Sequence, residues 1–172
     1  MKKKIIITGG LGYIGSELCK LYSGVSWHHK IIVIDNRFIS ERVNQLRKWN
    51  INFVHGDILN KELINEYCKN ADIIHHLAGI TDVPRVKNES SDASDAKIKL
   101  VAEEGTQNIL DAMSDTCKII LPSTHVVYEG IQEIKKDISE EEEIKPVLSY
   151  ANSKAINEKQ LKNSGKNYII LR

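Results

Sequence analysis

The 172-residue sequence is poor in cysteine and proline, with three of each, and it has no long apolar run. Its thiols, Cys19, Cys68 and Cys117, are odd in number, widely spaced, and fall in segments that read as helix, helix and strand edge. A disulfide framework and a zinc site are therefore disfavoured, and a reducing cytoplasm fits best. An excess of charge of one sign is missing too, since 24 Lys and Arg stand against 23 Asp and Glu. No global field exists to hold a nucleic-acid backbone or an anionic membrane, so neither is expected as a partner. Residues 1–4 are basic, as at the start of a signal peptide, but the apolar run at 5–7 is far too short for a leader's core or a membrane span. With 41% apolar residues and only ten glycines, the composition excludes a disordered or fibrous chain and leaves one domain with its own core.

Short β-branched runs recur at residues 5–7, 31–34, 51–54, 73–74, 119–121 and 168–171. Continuous runs rather than alternation predict strands covered on both faces. Between them lie stretches of helical spacing: Ile14, Leu18, Leu21 and Tyr22; Val43, Leu46 and Trp49; Leu63, Ile64 and Tyr67; Val101, Ile109, Leu110 and Met113; and residues 155–161. Strands alternating with helices predict a doubly wound parallel sheet, a three-layer α/β/α Rossmann fold filling residues 1–172. The charged run 135–145, with Glu140 to Glu143 inside it, reads as a solvated loop. The last apolar run meets Arg172 with no closing helix, so the chain is expected to be a piece of a longer protein, ending before a further domain.

Four glycines cluster as Gly9-Gly10-Leu11-Gly12-Tyr13-Ile14-Gly15, after the first strand and at the start of the first helix. That context is what a dinucleotide fingerprint requires. Gly9 allows the tight turn, Gly12 lets backbone N–H groups approach a pyrophosphate, and Gly15 lets helix pack closely on strand. Asp35 ends the second strand, where its carboxylate can accept from both ribose hydroxyls and repel a 2′-phosphate, which favours NAD over NADP. Arg37 works slightly against that preference, because a guanidinium there can pair with the phosphate. Tyr13, Ile14 and Asn36 complete the cofactor contacts expected from these two segments.

The spacing Gly-x-x-Gly-x-x-Gly, preceded by Thr8, resembles the extended short-chain dehydrogenase/reductase superfamily, the nucleotide-sugar epimerases and dehydratases. The resemblance runs along the whole chain. Gly56-Asp57-Ile58 resembles the family's adenine-contacting Asp and its apolar neighbour, and His76-Leu77-Ala78-Gly79 resembles the segment lying under the cofactor. By the same likeness Asp57, Ile58, Leu77, Ala78 and Gly79 are expected to border NAD. Gly105-Thr106-x-Asn108-Ile109-Leu110 resembles the central helix, although Ala102 stands where the family usually carries an Asn that helps order the site. The resemblance implies strand order 3-2-1-4-5-6, a separate C-terminal domain for a nucleotide-sugar substrate that is absent from this chain, and a homodimer in the full-length form.

Tyr150 and Lys154 lie four apart on a helical segment, so both project from one face. A lysine ammonium near the phenol is expected to lower its pKa and make Tyr150 a usable general base, with Lys154 also holding the nicotinamide ribose. Ser123-Thr124-His125-Val126-Val127-Tyr128 resembles the family's Ser-Ser/Thr-x-x-Val-Tyr-Gly segment, which assigns the third catalytic hydroxyl to Thr124; Glu129 displaces the expected glycine to Gly130. The chemistry so implied is oxidation of a sugar hydroxyl by NAD. Dehydratases resemble this template but carry Asp-Glu after the threonine, and decarboxylases a Glu at the second position. Here those residues are His125 and Val126, which points to return of the hydrogen to the ketone, as in a 4-epimerase or a ketoreductase. His125 reads either as a loop residue or as a substrate contact. A non-catalytic NAD-binding module that senses redox state is the alternative from another class. No metal is expected: His75 and His76 are strand neighbours pointing to opposite faces, and His28 and His29 have no nearby carboxylate.

Overall fold

The computed structural model describes residues 1–81, 91–133 and 136–172. Six parallel strands form one sheet: β1 (Lys4–Thr8), β2 (Lys30–Asp35), β3 (Asn52–His55), β4 (Ile73–His76), β5 (Lys118–Pro122) and β6 (Asn167–Leu171). Their order is β3-β2-β1-β4-β5-β6, the doubly wound Rossmann arrangement expected from the sequence. The chain reverses direction of travel across the sheet between β1 and β4, and a ligand crevice opens at such a point beyond the strand ends.

Alternate residues of the central strands feed two separate cores. Ile5, Ile7, Ile31 and Val33 face α1 (Tyr13–Ser23) and α2 (Ser40–Lys48) through Cys19, Val43 and Leu46. Ile6, Ile32, Ile34, Ile74 and Ile119 face α3 (Lys61–Cys68), α5 (Thr106–Ala112) and α6 (Ser149–Asn163) through Ile64, Cys68, Ile109, Leu110 and Leu161. All three cysteines are buried and unpaired, and burial pushes the thiols of Cys19 and Cys68 up to about 12 and that of Cys117 up to about 11.

Two readings of the sequence need correction. The helix expected around residues 101–113 begins earlier, as α4 (Asp92–Leu100), and passes through a π-helical turn at Val101–Gly105 before α5. The edge strand β6 is not covered on both faces, since Tyr168, Ile169 and Leu171 are exposed. Among the described residues no helix is long and apolar enough to cross a membrane.

Candidate active site

The loop from β1 to α1 is built on close approach. Gly9 has φ +69°, in the left-handed region, and a Cβ on it would lie 2.7 Å from the backbone nitrogen of Ala78. A Cβ on Gly15 would stand 2.6 Å from the Gly9 carbonyl oxygen, so the helix starts tight against the turn. Gly12 is the N-cap of α1, and no side chain caps that end. A Cβ on Gly12 would meet the Gly9 carbonyl at 3.1 Å; bare backbone instead leaves the positive helix end open to a diphosphate. This cradle fits a dinucleotide, and the exposed side chains of Tyr13 and Ile14 stand at its rim.

Asp35 is buried at the end of β2. Its Oδ2 accepts from the Leu11 N–H at 2.9 Å, and its Oδ1 accepts from the N–H and Nε of Arg37 at 3.0 and 3.3 Å. The carboxylate thus ties the glycine loop to β2, while Arg42 donates to the Leu11 carbonyl from α2. Asn36 Nδ2 donates to Asp57 Oδ2 at 2.9 Å, which joins the loops after β2 and β3. Ile58 is buried in the core, its side chain against Gly105. Leu77 and Ala78 hang from Thr8, whose carbonyl and hydroxyl accept their N–H groups at 3.1 and 3.2 Å, and Gly79 follows in open space.

Past β5 the chain enters a short 3₁₀ turn, His125–Tyr128, whose N-cap is Thr124 with its hydroxyl accepting from the Val126 N–H at 3.2 Å. The same hydroxyl acts on the phenol of Tyr150, in the first turn of α6, favouring its charged form. Lys154, one turn on, is 8% exposed and donates to the Pro122 carbonyl at 3.0 Å. Burial lowers its ammonium pKa to about 8. The expected effect of Lys154 on Tyr150 needs correction here. The phenol pKa is raised by burial, with only the Thr124 hydrogen bond opposing, because the Lys154 ammonium is turned to the end of β5.

Beneath these groups runs a fully buried polar chain that crosses four elements. Thr8 Oγ1 is 3.0 Å from His76 Nδ1, His76 Nε2 is 2.9 Å from Thr106 Oγ1, and Asn157 Nδ2 donates to Thr106 Oγ1 at 2.8 Å and to the Ala102 carbonyl at 2.9 Å. His76 is neutral: burial first, then the charge of Lys154, lowers its pKa to about 3. His75 points the other way, to the Tyr22 hydroxyl at 2.8 Å, so the two histidines share no ligand. Among the described residues no group of three or more His, Cys, Asp or Glu gathers as a metal site. At Ala102, where the family's Asn is missing, the π-helical turn meets the Asn157 amide.

A second buried cluster went unread in the sequence. Glu158 on α6 accepts from Ser123 Oγ at 2.6 Å and from the Arg172 fork at 2.5 to 3.2 Å, and Arg172 reaches on to the Tyr128 hydroxyl and the Glu140 carbonyl. Burial pushes the Glu158 carboxyl up, but the Arg172 and Ser123 bonds with the charges of Arg172 and Lys162 outweigh it and hold it below the usual range. Ser123 is thereby fixed directly beside Thr124. No local motif announces this pairing, whose partners come from α6, the turn after β5 and the residue that follows β6.

The family model described as NAD dependent epimerase/dehydratase family matches residues 5–172. The chain belongs to that family. Among curated members, a CDP-paratose 2-epimerase from Salmonella typhi is 34% identical over 80% of this chain and 41% of its own length. A UDP-N-acetyl-alpha-D-glucosaminuronate decarboxylase from Bacillus cytotoxicus is 32% identical over 74% of this chain and 38% of its own. Among solved structures, the UDP-glucose 4-epimerase from Brucella ovis in complex with NAD superposes with a TM-score of 0.78 at 28% identity, covering 99% of this chain and 51% of that one. The chain therefore spans about two fifths of the length of these curated relatives and half of that solved chain. NAD is the family's cofactor, and the glycine cradle is shaped for it.

Proposed function

We propose that this chain is the NAD-binding and catalytic part of a nucleotide-sugar epimerase, most simply a 4-epimerase. The observation that carries the proposal is Lys154 of α6 bonded to the Pro122 carbonyl at the end of β5, which brings it and Tyr150, one turn before it, to the turn that begins at Thr124. NAD held by the glycine loop and Asp35 would supply a reversible acceptor for the hydride of the sugar carbon. Thr124 and Tyr150 together hold one sugar hydroxyl, and Tyr150 takes its proton as general base. Below about pH 8 Lys154 keeps its positive charge, which favours the phenolate when the ammonium turns toward it. Asp35 receives the adenosine ribose, Asn36 and Asp57 the adenine side, and the first turn of α1 the pyrophosphate.

After oxidation the keto sugar needs no further acid or base for epimerisation. Val126 has no proton to give, and of the two residues after Thr124 His125 is the one that can titrate, which argues against loss of water or of carbon dioxide. The solved 4-epimerases from Brucella ovis and Bacillus cereus, the latter in complex with UDP-glucuronic acid and NAD, support a UDP-sugar as the first substrate to try. The decisive assay incubates the full-length protein and NAD with UDP-, GDP-, CDP- and dTDP-sugars and separates the products. An epimer with no net NADH is the expected result; a 4-keto-6-deoxy product would overturn it. A ketoreductase would instead consume NADH in proportion to product. The second reading, a redox-sensing NAD-binding module, is favoured by Ala102 and by the raised phenol of Tyr150, and predicts NAD binding with no turnover of any sugar. The full-length form is proposed to be a homodimer, which sedimentation measures.

A further inference from the structure

Helix α6 brings Tyr150 to the site but has no cap of its own: its N-cap residue is Leu148, with no side-chain hydrogen bond. The segment before it is instead gripped from the turn that carries Thr124. Glu129 closes that turn, and its Oε1 accepts from the N–H of Val147 at 2.7 Å and of Leu148 at 2.6 Å. Around it the two segments run side by side, with Gly130 N–H donating to the Lys145 carbonyl and Lys145 N–H to the Val127 carbonyl, each at 2.8 Å. From the helix side, Asn152 Nδ2 donates to the carbonyls of Val147 and Leu148, both at 3.1 Å. The Val147 and Leu148 backbone is thus bonded on its N–H side by Glu129 and on its carbonyl side by Asn152.

We propose that Glu129 is a positioning residue for Tyr150, its carboxylate locking the start of α6 to the Thr124 turn so that hydroxyl and phenol meet at the substrate. The inference rests on the functional reading above. Its physical basis is twofold. Two charge-assisted hydrogen bonds from one carboxylate are stronger than neutral ones and fix direction as well as distance. The same negative charge sits at the positive end of the α6 dipole, where it is stabilising even at an exposed position. Glu129 occupies the place where the family resemblance leads one to expect glycine, so this link is a property of this chain's own sequence.

The test uses the full-length protein with NAD and whichever nucleotide sugar it turns over. Glu129→Ala is expected to lower kcat at least tenfold while NAD affinity stays within twofold, and Glu129→Gln, which keeps an acceptor oxygen but loses the charge, to give a kcat between that of Glu129→Ala and the parent. A merely structural role moves NAD affinity and melting temperature along with kcat. Amide hydrogen exchange gives a readout independent of activity: the Val147 and Leu148 amides should exchange at least tenfold faster in Glu129→Ala, and at a rate between that and the parent's in Glu129→Gln. If Glu129→Ala fails to fold, Glu129→Asp, which is one methylene short of reaching both amides, takes its place with the same expected direction. Unchanged exchange, or faster exchange with kcat within twofold of the parent, overturns the proposal. If the parent turns over no sugar, the functional reading fails, and the exchange arm still decides whether Glu129 holds the start of α6.

Discussion

The ammonium of Lys154 half-titrates at about pH 8, well below the 10.5 of an ordinary lysine, because folding takes it out of water. It is cationic below that value and neutral above it, so any step that needs its charge fades as pH rises through 8. An NMR titration of the Lys154 side-chain carbon with a midpoint near 8 is the expected result. The lowered pKa of His76 has a consequence for stability. Its pKa is about 3 in the fold against 6.5 for an ordinary histidine, so between those values the denatured chain binds a proton that the native chain refuses. Stability therefore falls as pH drops below 6.5, by up to about 1.4 kcal/mol per pH unit. Urea unfolding at pH 7 and pH 5 should show a smaller loss for His76→Gln than for the parent. Tyr150→Phe should cut turnover of the full-length enzyme by about a hundredfold or more and leave NAD affinity nearly unchanged, since it removes proton transfer and no major cofactor contact. At Asp35, NAD should bind at least about tenfold tighter than NADP by fluorescence titration, and Asp35→Asn should narrow that gap by freeing Arg37 to meet a 2′-phosphate.

Helix α6 gathers much of the site because Tyr150, Lys154 and Glu158 recur every four residues and so share a face. Its buried face is locked by Glu158, 1% exposed, and by the Arg172 side chain, 9% exposed. Removing one partner strands a buried charge, so Glu158→Ala is expected to cost about 3–5 kcal/mol in urea unfolding, while an apolar replacement of both partners costs less than the sum of the single changes. The glycine loop, Asp35 and the Tyr150–Lys154 pair were legible in the sequence because each is a local spacing with one physical use. The central strands were legible because isoleucine and valine runs have few other places to go. Helix α4 escaped notice, since Ile98 is its one fully buried side chain and leaves no apolar stripe to read. The π-helical turn was equally hidden, as nothing in Val101–Gly105 marks a change of pitch. The Thr8–His76–Thr106–Asn157 chain joins residues far apart in sequence that the sheet order makes neighbours, and the Glu158–Arg172 pair, fourteen residues apart, follows no fixed local spacing.

Across the whole molecule, the candidate NAD contacts and the Thr124, Tyr150, Lys154 trio all lie within these 172 residues. The chain by itself is expected to bind NAD and to leave nucleotide sugars unchanged. Its relatives are about twice as long, and a sugar not held near the reacting groups forfeits an orientation advantage of about 7–11 kcal/mol at best. Calorimetric NAD binding beside a product assay on the same sample checks both halves, and turnover by the chain alone would show that the substrate is held by residues read here as loop. The exposed Tyr168, Ile169 and Leu171 on the edge strand β6 should make that sample self-associate in light scattering. The three buried thiols offer a different kind of handle. Cys19 belongs to the core beneath α1 and α2, whereas Cys68 and Cys117 belong to the core on the other side of the sheet. With every thiol protonated and shielded, the native protein is inert to a thiol reagent, and labelling reports the opening of each layer separately. Simultaneous modification of all three would mean that the two halves melt as one cooperative unit, and early modification of Cys19 alone would make the cofactor-side layer the first to come apart.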